Sequence, residues 1–323
     1  MSDLFIGLDI GGTKCAVSLA EVHGSEVKIL DKEKFPTIPN DPDGVCKALL
    51  DTSKEILSRN RLAFTDVEAI GISCGGPLDS EKGVILGPPN LPGWDEVHIK
   101  DYFEDATKLP TYIQNDANAC AVAEWKFGAG KGCKNMVFLT FGTGLGAGLI
   151  LNGRLFCGTN DMAGEIGHVR LEKDGPVGYG KAGSAEGFCS GGGLAQLGVA
   201  AVRKAVEKGE CPALLKAAGR EEDISARLIA ELADKGDELC LEIYRECGKN
   251  LGRTLSVLID ILNPERIILG GIYMRASHLL IPAMEETIKA EALSYAAAVC
   301  TVHPAGLGEN VGDYAAVAVA CSR

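Results

Sequence analysis

The 323-residue sequence has no GxxxxGK[ST] phosphate loop and no cysteines spaced as CxxC. No apolar run approaches the roughly 18 residues that a membrane-spanning helix needs. Aromatic residues are scarce at 6%, and basic residues are outnumbered, 32 Lys and Arg against 44 Asp and Glu. The first absence excludes a P-loop nucleotide enzyme. The net charge of −12 disfavours nonspecific binding to nucleic acid or an anionic membrane. It leaves room for a locally positive site that takes a phosphorylated ligand. No basic segment followed by an apolar one opens the sequence, so a cytoplasmic protein without a membrane partner is expected. The 12 cysteines are scattered, several inside apolar runs (Cys74, Cys120, Cys247, Cys300), as buried free thiols in a reducing compartment would be. With 46% apolar and 24% charged residues the composition is that of a globular protein, long enough for two domains.

What is present begins at once. Leu4 to Ile10, the turn Gly11-Gly12-Thr13-Lys14 and Cys15 to Ala20 form an apolar run, a polar glycine-rich bend and a second apolar run. That pattern predicts a β-hairpin whose glycines let backbone approach a ligand closely. Thr13 and Lys14 supply a hydroxyl and a cation at the tip, and Asp9 stands where a hydrated Mg²⁺ could be held. The pattern recurs as Met136 to Phe141, Gly142-Thr143-Gly144-Leu145-Gly146, then Ala147 to Leu151. Two such hairpins suggest a duplicated architecture with one phosphate-facing turn in each half. Gly142 to Ala147 also satisfies GxGxxA, with Asp161 placed for a ribose contact. A dinucleotide fold requires a helix next, and a second β-run closed by Asn152-Gly153 follows instead.

Helical spacing covers residues 43–59, 99–107 and 117–127, then 188–208, 225–235 and 237–262, the last stopped at Asn263-Pro264. Apolar strands are expected at 69–73, 112–114 and 266–269, the last ending in Gly270-Gly271. An Ala/Val-rich helix at 312–320 is expected to pack back on the first half. At the strand-to-helix junction Gln114-Asn115-Asp116-Ala117-Asn118, either Asp116 or Asn118 could cap the helix. A carboxylate flanked by amides at a strand end also suits a general base for a substrate hydroxyl. In Ala163-Gly164-Glu165-Ile166-Gly167-His168, one helical turn would put Glu165 and His168 on one side. There they could bind neighbouring sugar hydroxyls or ligate a metal.

Taken together, these motifs resemble the ROK family of sugar kinases within the actin-like ATPase superfamily, across essentially the whole chain. The resemblance implies an α/β fold of two RNase H-like lobes with mixed sheets and an interlobe active-site cleft. The lobes are expected at 1–116 plus 310–323 and at 117–309. It implies an ATP- and Mg²⁺-dependent hexose kinase acting on a 6-hydroxyl, usually a homodimer. Asp116 would be the catalytic base, with Gly76, Asn90, Asn115, Glu165, His168 and Glu186 binding the sugar. Gly11, Gly12, Thr13, Lys14, Thr143, Gly144, Gly270 and Gly271 would hold ATP, and Asp9 would hold Mg²⁺ through water. Glucose is the first choice of sugar, because Pro89 to Trp94 looks most like the glucokinase version of that loop. N-acetylmannosamine, N-acetylglucosamine, mannose, allose and fructose are the alternatives. A sugar-responsive regulator, as other family members are, is the reading from another class. Those carry a DNA-binding domain ahead of the kinase-like part, for which a phosphate hairpin beginning at residue 4 is expected to leave no room.

One departure stands out. The family commonly has CxCGxxGCxE after the GEIGH histidine, giving a Cys₃His zinc site. Here the run reads Val177-Gly178-Tyr179-Gly180-Lys181-Ala182-Gly183-Ser184-Ala185-Glu186. Valine, tyrosine and serine do not supply a structural zinc site. No structural zinc is therefore expected, with the loop held by packing of Val177 and Tyr179 and His168 left to serve only the sugar.

Overall fold

The computed structural model describes residues 3–322. The chain opens with β1 (Asp3–Ile10), β2 (Lys14–His23) and β3 (Glu26–Pro36), followed by α1 (Pro42–Arg59) and β4 (Ala69–Cys74). The short pair β5 (Leu78–Asp79) and β6 (Val84–Ile85) precedes α2 (Ile99–Thr107), β7 (Thr111–Asn115) and α3 (Asp116–Phe127). Next come β8 (Met136–Phe141), β9 (Leu145–Leu151), β10 (Arg154–Leu155) and the pair β11 (Val177–Gly178) and β12 (Lys181–Ala182). Helices α4 (Ala185–Phe188), α5 (Gly191–Glu207), α6 (Ala213–Ala218), α7 (Ala226–Ala233) and α8 (Glu238–Leu262) lead to β13 (Arg266–Leu269). The chain ends with α9 (Ile272–Glu291), α10 (Ser294–Ala297), β14 (Thr301–Pro304) and α11 (Val311–Ala320).

These elements form two compact units. Among the described residues the first comprises 3–134, 148–163 and 305–322; the second comprises 135–147 and 164–304. This division differs from the one expected at residue 116. Helix α3 falls with the first unit because it packs on α11 and because Gly148 lies against Ala117 and Ala121.

In the first unit five strands lie in the order β3-β2-β1-β4-β7. The β1–β2–β3 meander is antiparallel, and β1, β4 and β7 run parallel. Ile6, Leu8, Ile10, Ile70, Ile72 and Ile113 are buried with Val45, Leu49 and Ile56 of α1 and with Phe103 of α2. Helices α11 and α3 also pack here, α11 against β1 and β4, so the central strands are apolar throughout rather than alternating. Strand β3 is an edge, and its charged residues (Lys28, Asp31, Lys32, Glu33, Lys34) are what an edge exposed to solvent tolerates. In the second unit β9, β8, β13 and β14 are neighbours in that order. Residues 148–151 of β9 belong to the first unit, and Ile150 and Leu151 pair with β10 through the Asn152-Gly153 turn, both turn residues having positive φ. The strand order β10-β9-β8-β13-β14 therefore repeats that of the first sheet, as the paired hairpin motifs implied.

One buried carboxylate ties distant stretches of the first unit together. Glu124 is wholly inaccessible and accepts hydrogen bonds from Ala129 N (2.8 Å), Gly306 N (2.9 Å) and Leu307 N (2.9 Å). It fixes the chain where residues 305–307 enter this unit from β14. Among the described residues no helix is long and apolar enough to cross a membrane.

Candidate active site

In the first unit the β1–β2 turn is closed by Gly11 N donating to Lys14 O (3.1 Å), and it is braced by Thr37, whose Oγ1 donates to Gly11 O (2.5 Å). Gly12, Thr13 and Lys14 are exposed at its tip. A Cβ at Gly12 would fall 2.3 Å from Asn90 O, so glycine is what lets the 88–94 loop lie against this turn. Asn90 also approaches Gly75, and Gly76 lies next to Asn115. Gly76, Asn90 and Asn115 are thus brought to the phosphate hairpin.

Asn115, not Asp116 or Asn118, caps α3: its Oδ1 accepts from Asn118 N (2.8 Å). Asn118 is fully buried instead, donating through Nδ2 to Gln114 Oε1 (3.1 Å). Asp116 is the first residue of α3, its Oδ1 accepting from Ala117 N (2.8 Å). Its side chain keeps a solvent-exposed edge, while burial of the rest raises its carboxyl above the usual carboxylate range. Asp9 is pushed up to about 6, first by burial, then by the charges of Asp116 and Asp313, against the opposing pull of Lys32 and Lys34. Asp313 is itself paired with Lys32. Asp161 is held by Ser80, from its backbone N (2.8 Å) and its Oγ (2.7 Å), and is committed to that structural role.

The Asp9 shift carries a stability consequence. Its folded-state pKa lies above the unfolded value of 3.8, so ionisation destabilises the fold above about pH 6, and the penalty is relieved as pH falls towards 4. Asp9→Asn is expected to raise stability at pH 8 by up to about 3 kcal/mol without ligands, and to change it little at pH 4. Thermal melts of both proteins at the two pH values check this. A variant less stable than wild type at pH 8 would contradict it.

In the second unit the β8–β9 turn is closed by Gly142 N donating to Gly144 O (3.0 Å), with Thr143 exposed. Gly271 has φ of 61°, and a Cβ there would lie 2.0 Å from Phe141 O, so the Gly270-Gly271 junction packs directly under this turn. The N-terminus of α5 joins them, Gly191 N donating to Gly142 O (2.8 Å) after the Ser190 cap. The helix itself matches the one expected over 188–208, but its place under the turn was not foreseen, although the run Ser190-Gly191-Gly192-Gly193 was the signal.

Glu165 and His168 flank a single 3₁₀ turn over Ile166–His168, His168 N donating to Glu165 O (3.1 Å). Glycines at 164 and 167 let this turn lie on β9, with Ala147 N donating to Gly164 O (3.1 Å). Glu186 rises from α4, capped by Ser184, and its Oε2 accepts from Leu145 N (3.1 Å) beside Gly144. The sequence-predicted Glu165, His168, Glu186, Thr143, Gly144, Gly270 and Gly271 thus all gather in this unit.

The loop around residues 177–182 is not held by packing of Val177 and Tyr179, which are 47% and 70% exposed. It is a β11–β12 hairpin pinned by Gln196, whose amide bonds both Val177 N and Val177 O (2.9 Å each), and by Arg170 donating to Ala182 O (2.8 Å). Its donor set does not fit zinc. Val177 has no ligating atom, and Ser184 Oγ is engaged by Gly187 N (3.1 Å).

A profile of the ROK family matches residues 5–322. A glucokinase of Halalkalibacterium halodurans is 32% identical over 318 residues, 97% of this chain and 93% of that protein. A ROK family glucokinase from Streptomyces griseus, solved with glucose and AMPPNP, superimposes with a TM-score of 0.77 at 30% identity, over 99% of this chain and 100% of that one. A ROK family transcriptional regulator, a homologue of the Escherichia coli MLC protein, superimposes with a TM-score of 0.84 at 26% identity, over 98% of this chain and 77% of that one. The chain belongs to the ROK family.

Proposed function

We propose that this protein is an ATP-dependent hexose kinase that transfers the γ-phosphoryl group of Mg-ATP to the 6-hydroxyl of a sugar, glucose first among them. The observation that carries the reading is Asp116, a carboxylate of raised pKa at the start of α3, in the unit that also presents Asp9 and the Gly11–Lys14 turn. Phosphoryl transfer needs positioning, charge neutralisation and a base, and little covalent chemistry. Asp116 takes the hydroxyl proton. The backbone N–H groups of Gly11, Gly12 and Thr13, the Lys14 ammonium and the Thr143-Gly144 turn hold phosphates. Gly270 and Gly271 let the adenosine part approach backbone closely. Asp9 would hold a hydrated Mg²⁺, which is commonly bound through one or two carboxylates plus substrate phosphates, and the ion bound there would supply charge neutralisation to the transferred group. Gly76, Asn90, Asn115, Glu165, His168 and Glu186 recognise the remaining sugar, and specificity among hexoses lies in their hydrogen bonds. The glucose and AMPPNP of the Streptomyces griseus enzyme support this reading.

A coupled ADP-release assay over a panel of hexoses and hexosamines tests the substrate. Glucose is expected to give the highest kcat/KM, and a preference for N-acetylmannosamine, N-acetylglucosamine, mannose, allose or fructose would replace it. The likeness to a transcriptional regulator favours a second reading, sugar-responsive DNA binding. The net charge of −12 opposes it, and specific, salt-sensitive DNA retention without sugar-dependent turnover would establish it.

A further inference from the structure

The value of His168 to a sugar site depends on how its ring is held, and the β11–β12 hairpin holds it. The rings of Tyr179 and His168 meet edge to face, with centroids 5.2 Å apart and planes at 81°. Two residues on, Lys181 Nζ donates to the His168 carbonyl (2.6 Å). The hairpin turn is Tyr179-Gly180, with φ of 41° and 76°. A two-residue turn with both φ positive favours Asn-Gly or Gly-Gly, and a bulky aromatic at its first position is costly. Core packing does not explain the tyrosine either, since 70% of it is exposed. Among the described residues its ring partner is His168. The hairpin beneath is pinned at its base: Gln196 of α5 bonds both backbone groups of Val177, and Gly183 N donates to Pro176 O (2.9 Å). The same stretch is the one whose donors do not fit zinc.

We propose that Tyr179 is a positioning residue for His168, its ring fixing the imidazole while Lys181 fixes the backbone behind it, so that no metal is needed to orient the histidine. This rests on the assignment of His168 to the sugar site. Edge-to-face contact restricts the imidazole plane while leaving its nitrogens to hydrogen-bond a ligand. The arrangement also accounts for an aromatic residue on an unfavourable backbone, a kind of strain that clusters at functional sites.

Two readouts test it on the full-length protein. The sequence has five histidines, so the Cε1–H resonance of His168 can be assigned in the ¹H–¹³C spectrum with a His168→Gln variant. Without any substrate, Tyr179→Ala is expected to shift that resonance and leave the other four in place. In the sugar-dependent assay Tyr179→Ala is expected to raise the sugar KM about tenfold, the size of one well-placed hydrogen bond lost, with kcat changed less than about twofold. Tyr179→Phe, which keeps the ring, should restore wild-type KM. A melting temperature unchanged in Tyr179→Ala confirms that the effect is local. An unmoved His168 resonance, or an active Tyr179→Ala enzyme with wild-type KM, overturns the proposal. So does elemental analysis showing one zinc per chain in the untagged protein. Wild-type protein without turnover on any sugar overturns the kinase reading instead, a separate result.

Discussion

Asp116→Ala is expected to lower kcat by at least ~10²-fold while sugar affinity changes little, since a general base contributes mainly to the transition state. The residue opens α3, its Oδ1 bonded to Ala117 N, and burial raises its carboxyl pKa. A raised pKa makes a carboxylate a better proton acceptor at neutral pH. The sign of the pH effect follows. Asp116 must be ionised to accept the hydroxyl proton, so wild-type kcat should fall as pH drops through its pKa, at a higher pH than for an ordinary aspartate. The residual activity of Asp116→Ala should lack that limb. Steady-state kinetics over pH with isothermal titration of sugar checks both parts, and unchanged turnover in the variant would remove Asp116 from the reaction.

Glu124→Ala should cost at least ~3 kcal/mol of stability, measured by urea unfolding. Three backbone N–H groups, of Ala129, Gly306 and Leu307, converge on this fully buried carboxylate. Removing it strands three donors away from water, each worth about 1–3 kcal/mol when unsatisfied, and hydrogen bonds to a charged group are the stronger kind. Glu124→Gln keeps the volume and one acceptor but turns a donor towards these N–H groups, so an intermediate loss is expected. Amide exchange at Gly306 and Leu307 should rise in both variants before global unfolding. A loss below ~1 kcal/mol for Glu124→Ala would mean that water or a shifted backbone replaces the carboxylate.

Much of this was legible in the sequence because local chemistry and tertiary role agree there. The Gly11–Lys14 turn sits between two buried strands, and α8 stops at Asn263-Pro264 with Asn263 left-handed. Helix α2 and strand β13 match their apolar patterns because each lies between clear breakers. Strand β3 escaped notice since its exposed edge is charged, and alternation there carries little hydrophobic signal. Helix α9 was hidden by Pro282 within it and by a break in helical geometry at Ala276. The cap of α3 is Asn115 rather than Asp116 or Asn118, because Asn115 reads equally well as a strand end or as an N-cap. The 177–182 loop failed for a different reason. Val177 and Tyr179 are apolar letters that suggest packing, but the positive φ values at Tyr179 and Gly180 make a tight turn and carry both side chains outward. What held that loop, the amide of Gln196, lies 19 residues from Val177 in sequence and leaves no local mark.

Phosphorus NMR of a reaction containing wild-type protein, Mg-ATP and glucose shows whether the sugar 6-hydroxyl receives the phosphoryl group. A new phosphate monoester coupled to the C6 protons of the sugar is expected, growing in step with ADP and nearly absent with Asp116→Ala. ADP formed without any sugar phosphate, or no sugar phosphate from glucose or any other hexose, would contradict it.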